Sequence, residues 1–364
     1  MSRLDMLPTD HLDYDLPPEL IATHPATPRD ASRLMVLHRS DPSRVEHVRF
    51  ADLGSYVRGP DVLVRNVTRV LPARFEGIRL STGGRLGGLF LAESGPGRWQ
   101  VLLRSNGRLR PGDIARIGDT DPIHLRLIEK ADEGWIVQVE DPAGQPLVEA
   151  ASVLLASRGL PPLPPYILAA RRAREGVAED PSDPERYQTV YAAPDEAGSV
   201  AAPTAGLHFT PDLIASLTTS GVHWTDVVLD IGAGTFKPIE AASVEAHAIH
   251  DERIEVPGTA IRAIRDSRAA GGRSVVIGTT SVRALESLPH PLPADVVDGG
   301  LTMRTRLLIT PGFAFRHTDA LVTNFHLPRS TLLMLVCAFA DRELILEAYA
   351  EAVRSGYRFY SYGD

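Results

Sequence analysis

Cysteine and lysine are almost missing from this sequence of 364 residues, which contains one cysteine, Cys337, and two lysines, Lys130 and Lys237. A single cysteine excludes a disulfide framework and any zinc or iron–sulfur site that needs several cysteines. Arginine therefore carries nearly all of the basic charge, a usage that more often reflects compositional bias than function. Lys237 stands apart because it follows a glycine-rich turn, and we expect it to bind a ligand.

Long apolar runs are also missing. The most apolar stretch, residues 331–340, is shorter than the roughly 20 residues that span a bilayer, and Asp341 and Arg342 follow it. The N-terminus lacks the basic segment followed by an apolar segment that marks a signal peptide. We therefore expect no membrane association and a cytoplasmic location.

Charge and composition are those of an ordinary globular protein, with 43% hydrophobic and 23% charged residues. The formal net charge of −8 argues against indiscriminate coating of nucleic acid but permits a local basic face. A chain of this length is long for one core, so two domains are expected.

Residues 73–150 differ in pattern from the rest of the chain. Short alternating stretches, separated by glycine- and proline-containing turns, lie at 75–80, 86–92, 99–103 and 135–139. This pattern is typical of a small all-β barrel. We predict that this module is inserted into a discontinuous α/β domain formed by residues 1–72 and 151–364. The proline-rich segment 160–166 is expected to be an irregular, stiff connection.

Strands and helices alternate in the second half of the chain. The predicted helices lie at 213–217, 261–268, 282–288, 331–340 and 343–355, and the predicted strands at 227–231, 274–277, 307–309 and 320–323. Such alternation implies parallel strands joined by crossover helices. The predicted fold class is therefore α/β, with a main α/β domain and an inserted small all-β barrel.

Two turns rich in glycine and threonine predict a ligand site, one at 203–210 (PTAGLHFT) and one at 230–236 (DIGAGTF). Glycine lets the backbone approach a ligand, and free amides at helix starts favour anionic oxygens. The second turn also resembles the glycine loop of Rossmann methyltransferases. However, Phe236 stands where that loop has a small residue, and Pro238 follows closely.

Polar residues follow two further predicted strands, at 278–281 (GTTS) and 323–328 (TNFHLP). Thr280 or Ser281 would cap the helix that follows the first of them. Taken singly, each is also explained by an ordinary capped helix or turn. Because the carboxyl ends of parallel strands meet at one edge of a sheet, we expect these turns to share a pocket.

His247 and His250, beside Asp251 and Glu252, form another candidate site. Two imidazoles on one helical face with a carboxylate suit a metal, but no HExxH arrangement or further ligand accompanies them. Proton transfer or substrate orientation is the other interpretation, because a neutral histidine moves protons at cellular pH.

Two arginine clusters are candidates for contact with a polyanion. Their members are Arg98, Arg104, Arg108, Arg110 and Arg116 in one cluster, with Asp113 as the only acid between them, and Arg171, Arg172 and Arg174 in the other. Arginine suits bidentate contact with phosphate. A solvated basic face is the alternative explanation.

An ordered series of motifs resembles one known family over essentially the whole chain. The motifs are DASRL at 30–34, RYQTVY at 186–191, PTAGLHFT, GAGTF, His247-x-x-His250, GTTSVR at 278–283, TNFHLP, STLLMLV at 330–336 and YRFYSYGD at 357–364. On these residues the chain resembles the S-adenosylmethionine:tRNA ribosyltransferase-isomerase family of queuosine biosynthesis. The resemblance implies a barrel-like α/β main domain with an inserted small all-β barrel.

The resemblance implies a reaction in which S-adenosylmethionine serves as a ribosyl donor. The ribosyl group is transferred and isomerised onto the aminomethyl group of a 7-deazaguanine at the tRNA wobble position, which gives epoxyqueuosine, adenine and methionine. The implied partners are S-adenosylmethionine as co-substrate and tRNA, with no metal and no permanently bound cofactor, and a monomer is expected. Such chemistry needs a base beside the sulfonium and acid assistance to departing adenine, and histidines suit both roles.

The resemblance also implies the site residues. The expected proton-transfer groups are His208, His326 and His250. The residues expected to bind substrate are Arg33, Asn66, Arg69, Thr204, Gly206, Phe209, Gly232, Gly234, Thr235, Lys237, His247, Gly278, Thr279, Thr280, Arg283 and Asn324. The residues expected to contact tRNA are Arg104, Arg108, Arg110, Arg171 and Arg172.

Three residues depart from the pattern of the family. Val67 replaces the acid of an Asn-Asp-Thr-Arg motif, Gly87 stands where a glutamate is expected, and Asp230 replaces a histidine. Two further hypotheses therefore stand beside the family's reaction. One is a relative that uses S-adenosylmethionine with another acceptor, and the other is a non-catalytic protein that binds tRNA or the nucleotide. Retention of the polar turns argues against the non-catalytic protein.

Overall fold

The computed structural model describes residues 8–232, 251–293 and 299–364. These residues form a six-stranded mixed sheet, a closed six-stranded barrel and two small two-stranded sheets. The strands, in chain order, are β1 Arg33–His38, β2 Asp41–Arg49, β3 Val62–Asn66, β4 Arg69–Val70, β5 Arg74–Arg79, β6 Arg85–Gly95, β7 Arg98–Ser105, β8 Ile114–Ile117, β9 Ile123–Lys130, β10 Trp135–Glu140, β11 Ala197–Ser199, β12 His223–Leu229, β13 Glu252–Val256, β14 Ser274–Ile277, β15 Leu301–Thr305 and β16 Ala320–Val322.

Helices surround the mixed sheet and connect its strands. The α-helices are α1 Ala151–Leu155, α2 Pro165–Glu175, α3 Asp183–Arg186, α4 Pro211–Thr219, α5 Gly258–Ala269, α6 Thr279–Glu286, α7 Thr331–Phe339 and α8 Arg342–Arg354. Short 3₁₀ helices lie at Thr9–Leu12, Pro18–Leu20, Arg29–Ala31, Phe50–Ser55 and Thr204–His208. Within the described stretches, none of the helices has the length and hydrophobicity that crossing a bilayer requires.

The mixed sheet has the strand order β15-β13-β12-β3-β14-β16, in which β12, β3, β14 and β16 run parallel. Val62, Leu63 and Val64 of β3 are fully buried, as expected for a central strand covered on both faces. Ile261 of α5 and Leu285 of α6 belong to the same core cluster as Val62 and Val64. The carboxyl ends of the four parallel strands therefore meet at one edge of the sheet.

Strands β5 to β10 form the closed antiparallel barrel, in the order β10-β7-β6-β5-β8-β9 with β9 paired to β10. Alternate residues of its strands point inward, and Phe75, Trp99 and Leu125 fill its interior with at most 1% of their surface exposed. The predicted all-β barrel is confirmed, and with it the α/β fold class.

Two local predictions are wrong. The strand predicted at 307–309 is irregular, and the chain forms β15 at Leu301–Thr305 instead, where β13 offers an antiparallel partner. A short apolar run does not become a strand without such a partner. The proline-rich segment is irregular only as far as Pro164, because Pro165 begins α2. Proline is tolerated at that first helical position since its missing N–H would have no intrahelical partner there.

The C-terminal segment, residues 357–364, is packed into the middle of the α/β domain. The backbone N–H of Phe359 donates to the Leu20 carbonyl at 2.8 Å, and the Phe359 carbonyl accepts from the Ala22 N–H at 3.2 Å. The Asp364 carboxylate accepts from the backbone N–H of Arg33 at 3.1 Å. These bonds join the two ends of the chain and carry the last residues toward the turn at 203–210.

Candidate active site

A narrow cleft of about 20 Å³ lies at the carboxyl edge of the mixed sheet. Three turns that are far apart in the sequence form its walls, and each follows or faces the end of a parallel strand. Six of the predicted site residues line it, namely Thr204, Gly278, Thr279, Thr280, Asn324 and His326. The structure therefore brings the expected polar turns to one place.

His326 is a neutral histidine in the wall of this cleft. Burial lowers its pKa to about 3, so the ring is uncharged at neutral pH. Its Nε2 lies 2.8 Å from the Thr323 hydroxyl, and its backbone N–H donates to the Tyr349 hydroxyl at 3.0 Å. The Tyr14 hydroxyl donates to the His326 carbonyl oxygen. The backbone of His326 is therefore held from α8 and from the N-terminal segment, while Thr323 bonds to the ring. Neither tyrosine was identified from the sequence.

Thr204 and Asn324 join the turn at 203–210 to the turn that follows β16. The Thr204 hydroxyl donates to Asn324 Oδ1 at 2.9 Å, and Asn324 Nδ2 donates to the Tyr360 carbonyl at 3.2 Å. Gly206 allows the first turn to pack closely, since a Cβ there would lie 2.0 Å from the Tyr191 hydroxyl. Gly206 therefore shapes the turn, while Thr204 and Asn324 face the cleft.

The start of α6 contributes backbone amides to the cleft. Gly278 precedes it with φ 84°, a left-handed conformation that favours glycine. The helix begins at Thr279 without a side-chain cap, so the caps predicted at Thr280 or Ser281 are wrong. The Ser281 hydroxyl instead bonds back to the carbonyl of residue 277 at 2.6 Å. Uncapped amides at the positive end of a helix dipole favour carboxylate or hydroxyl oxygens.

Asn66 ties two strand ends together instead of lining the cleft. It is fully buried, and its Nδ2 donates to the Leu229 carbonyl at 2.9 Å while its Oδ1 accepts from the Leu229 N–H at 3.2 Å. Oδ1 also accepts from the Thr68 N–H at 3.1 Å. Nδ2 lies 3.5 Å from the Thr280 hydroxyl. Asn66 therefore positions the ends of β3 and β12 and supports the start of α6.

Asp230 belongs to a charged cluster that sequence reasoning missed. Its Oδ1 accepts from the Thr68 hydroxyl at 3.2 Å, and its Oδ2 lies 3.3 Å from Arg253 Nη1. Arg253 also pairs with Glu196 at 3.7 Å and Glu255 at 2.5 Å. Burial, and then the nearby Glu255 carboxylate, raises the pKa of Glu196. The acids come from separate strands and loops, so no local motif marks the cluster.

His208 does not line this cleft but, like Arg33 and Asn324, lines a neighbouring cavity of about 540 Å³. Its ring nitrogens lie 3.1 Å from the Ala205 carbonyl and 2.9 Å from the Gly363 carbonyl, and its ring stacks on Phe50 with centroids 5.0 Å apart. Burial lowers the pKa of His208. Phe209, next in the chain, is fully buried in the core beside Phe50. His208 therefore links the turn at 203–210 to the C-terminal segment, and its catalytic role stays a prediction.

Arg283 and Gly232 meet at the same buried carboxylate. Arg283 forms an ion pair with Glu252 and donates from Nε to the Leu307 carbonyl at 3.1 Å. Glu252 Oε1 accepts from the Gly232 N–H at 3.4 Å. Arg283 thus fixes the first residue of the GAGTF turn from the other side of the sheet, through Glu252.

Arg33 and Arg69 do not line the cleft. The Arg33 guanidinium lies 3.6 Å from the ring centre of Tyr357 and donates to the Ser355 carbonyl at 2.7 Å. The Arg69 side chain is exposed, and its backbone N–H donates to the Glu196 carbonyl at 2.8 Å. Substrate contact by these two arginines stays a prediction.

Five predicted residues, Gly234, Thr235, Lys237, His247 and His250, lie outside the described residues. Their expected roles stay predictions. Across the three described stretches, no three histidine, cysteine, aspartate or glutamate side chains come together in a group that could hold a metal ion.

The arginines predicted to contact tRNA differ in their surroundings. Arg171 is 1% exposed and forms a bidentate pair with Asp183 at 2.7 and 2.8 Å. Its Nε donates to the Thr23 carbonyl at 3.0 Å. The Arg171 guanidinium is thus used inside the protein and does not face a nucleic acid, whereas Arg172 is exposed. Arg104, Arg108 and Arg110 are exposed on the barrel.

Residues 9–364 match the family model described as queuosine biosynthesis protein. The chain belongs to this family. It is 45% identical to the S-adenosylmethionine:tRNA ribosyltransferase-isomerase of Phenylobacterium zucineum, over 97% of this chain and 96% of that protein. It is 44% identical to the protein of the same name from Thermotoga maritima, over 97% of both chains.

A solved structure supports the same assignment to the queuosine biosynthesis family. The chain is similar to the crystal structure of the S-adenosylmethionine tRNA ribosyltransferase from Thermotoga maritima, with a TM-score of 0.52 and 33% sequence identity in that comparison. The similarity covers 97% of this chain and 98% of that chain. The main sheet and the barrel therefore belong to one family fold.

Proposed function

We propose that this queuosine biosynthesis protein is an S-adenosylmethionine:tRNA ribosyltransferase-isomerase. It transfers the ribosyl group of S-adenosylmethionine to 7-aminomethyl-7-deazaguanine at the tRNA wobble position and isomerises it, which gives epoxyqueuosine, adenine and methionine. Relatives at 45%, 44% and 46% identity carry this enzyme name. The observation that carries the proposal is the cleft in which neutral His326 lies with Thr204 and the start of α6.

His326 is the proposed proton-transfer group of the cleft. Because burial lowers its pKa to about 3, the ring carries no charge that would repel the sulfonium of S-adenosylmethionine. A neutral imidazole can donate a hydrogen bond to the nitrogen on which negative charge develops as adenine departs. His208 and His250 remain the other proposed proton-transfer groups.

The α6 start and the threonines are proposed to hold the co-substrate. The amides of Thr279 and Thr280 suit the carboxylate of the methionine part or the ribose hydroxyls. Thr204, fixed by Asn324 at 2.9 Å, supplies a hydroxyl on the facing wall. The remainder of the GAGTF turn, with Lys237 and His247, is proposed to complete the site.

We further propose that residues 73–150 act as an inserted unit that holds tRNA. Arg104, Arg108 and Arg110 on the barrel are exposed and suit phosphate contacts, with Arg172 as a further contact. We also propose that the protein is a cytoplasmic monomer and that it uses neither a metal nor a permanently bound cofactor.

A second candidate function is transfer from S-adenosylmethionine to a different acceptor. Val67 favours it, because this residue is 6% exposed and apolar where the family pattern has an acid. A carboxylate placed for hydrogen bonding contributes about 1–3 kcal/mol, and valine supplies none of that energy.

The deciding experiment incubates the purified protein with S-adenosylmethionine and tRNA that carries 7-aminomethyl-7-deazaguanine. Adenine release and the mass of the modified nucleoside are followed together. Release of adenine with formation of the epoxycyclopentyl nucleoside supports the family reaction. Binding of S-adenosylmethionine without any change in this tRNA refutes it and favours the second candidate.

A further inference from the structure

A basic groove of about 580 Å³ lies at one mouth of the barrel. The end of β7, the loop at 106–113, the end of β9 and the start of β10 form its walls. The cationic residues that line it are Arg104, Arg108, Arg110 and Lys130. Among residues 8–232, 251–293 and 299–364, none that lines the groove is acidic. The groove therefore carries a concentrated positive charge on a protein whose formal net charge is −8.

The four cations are free to meet an anion. All four side chains are exposed, and none forms an ion pair with a carboxylate from the parts of the chain that the structure describes. The only acid in the loop, Asp113, is already held by Arg79, whose Nη2 lies 2.8 Å from both carboxylate oxygens. Asp113 is therefore neutralised mainly by Arg79, although the charge of the nearby Arg110 also acts on it.

The loop is also fixed in shape. Asp113 Oδ2 accepts from the Arg110 backbone N–H at 2.7 Å, and Arg79 Nη1 donates to the Arg108 carbonyl at 3.2 Å. The Arg79–Asp113 pair, each side chain 14% exposed, thus holds the backbone that presents Arg108 and Arg110. Less conformational entropy is lost when such a preformed groove binds its partner.

The floor of the groove is apolar and includes an aromatic ring. Leu103, Leu109 and Trp135 line it, and all three are partly buried against the barrel core. An aromatic surface bordered by cations is the arrangement that binds single-stranded nucleic acid, in which bases stack and phosphates meet the positive rim. In a duplex the bases stack on one another, so none of them is available to stack on the Trp135 ring.

Gly87 places no side chain beside Arg104, and Glu76, on the other side of Gly87, pairs with Arg74 at 3.7 Å. The pairing of β6 with β7 places Gly87 directly across from Arg104. Leu86 points into the barrel and is 3% exposed, so Gly87 faces outward. No heavy atom lies within 4 Å of the point that a Cβ of residue 87 would occupy. The acid that the sequence lacks at this position would have room to pair with Arg104.

We propose that this groove binds an unpaired stretch of the tRNA, with phosphates on the four cations and one base stacked on Trp135. The proposal rests on the proposed function and adds to it Lys130, Trp135 and the requirement for unpaired nucleotides. Gly87 and the Arg79–Asp113 pair are positioning residues, which keep Arg104 and the loop available.

The contribution of the Arg104 charge to tRNA binding is tested with Gly87→Glu, which adds a carboxylate beside Arg104. Gly87→Gln is the matched control, because its side chain has the same size but no charge. Binding of a fluorescently labelled, unmodified tRNA transcript is measured by anisotropy over a series of salt concentrations. We expect Gly87→Glu to weaken binding about tenfold at low salt and to reduce the salt slope by about 1, since one phosphate contact is lost. Gly87→Gln should bind like the unaltered protein. Equal affinities of the two variants would overturn the proposal.

The stacking is tested with Trp135→Leu and with Trp135→Phe, which keeps an aromatic ring. Trp135→Leu should weaken binding of the tRNA transcript about tenfold and leave the affinity for a blunt RNA duplex unchanged, while Trp135→Phe should retain most of the tRNA affinity. An equal loss for both RNAs, or no loss for either, would refute base stacking.

Adenine release by the unaltered protein separates the two proposals. If the unaltered protein turns over and all groove variants bind tRNA equally, the groove proposal fails while the proposed function stands. If the unaltered protein releases no adenine, the proposed function fails whatever the groove variants do.

Discussion

Removal of the Asp183 carboxylate should destabilise the protein more than removal of an exposed charge. Arg171 and Asp183 are 1% and 4% exposed, and two hydrogen bonds of 2.7 and 2.8 Å join them. Asp183→Ala leaves the guanidinium buried beside carbonyl oxygens, which accept hydrogen bonds but do not neutralise its charge. Breaking one side of a buried ion pair costs about 3–5 kcal/mol.

This loss is a large fraction of a typical folding free energy of about 5–15 kcal/mol. The measurement is urea unfolding followed by circular dichroism, with the shift of the midpoint read at constant slope. Arg172→Ala is the matched control, because Arg172 is the next residue and is exposed, and its effect should stay within about 0.5 kcal/mol.

A double replacement separates the structural role of Arg171 from the tRNA contact expected from the sequence. Arg171→Met combined with Asp183→Leu removes both buried charges and should recover most of the lost stability. Its affinity for tRNA should equal that of the unaltered protein. An unchanged midpoint for Asp183→Ala, or weak tRNA binding by the stable double variant, would refute the reasoning.

Three further predictions concern the cleft and its supports. His326→Ala should lower the rate of adenine release about 10²–10⁴-fold in single-turnover assays on protein that circular dichroism shows to be folded; an unaltered rate would remove His326 from the chemistry. The pKa of His326 is lowered to about 3 in the folded protein and is near 6.5 in the unfolded chain. The free energy of unfolding should therefore rise by up to about 1.4 kcal/mol per pH unit between about pH 3 and 6.5 and then level off. A His326→Gln variant with the same pH dependence would contradict this. Gly206→Ala should destabilise the protein by about 1–3 kcal/mol, because the new Cβ would lie 2.0 Å from the Tyr191 hydroxyl, and Tyr191→Phe should relieve part of that loss in urea unfolding.

Local sequence patterns were sufficient for the fold class. Alternation at 75–80, 86–92, 99–103 and 135–139 predicted four of the barrel strands, and strand β14 begins and ends at the predicted residues. Helices α4, α5, α7 and α8 overlap their predicted ranges. These features depend on side-chain periodicity along a few consecutive residues, which a sequence displays directly.

The location of the cleft also followed from the sequence, because parallel strands bring their carboxyl ends to one edge. Thr204, the GTTS turn, Asn324 and His326 were each recognised as polar residues beside a strand. All of them line the cleft except Ser281, the last residue of the turn. The order and composition of the motifs also identified the family, which the match over residues 9–364 confirms.

Only the tertiary structure shows that residues of the same type have different surroundings. His208 and His326 look alike in the sequence, but His208 meets the carbonyl of Gly363, 155 positions away, while His326 lines the cleft. Likewise, Arg171 is enclosed with Asp183, whereas Arg104 is exposed opposite Gly87.

Burial, and with it the charge state of a side chain, depends on which distant segments pack against it. The pKa of His326, lowered to about 3, follows from its enclosure, and the Asp230 cluster forms only when β11, β12 and β13 come together. The sequence by itself therefore determined the family, the strand pattern and the turns that form the cleft. The fold decided which side chains are buried and which charges are paired, because desolvation and pairing arise only from contacts between distant parts of the chain.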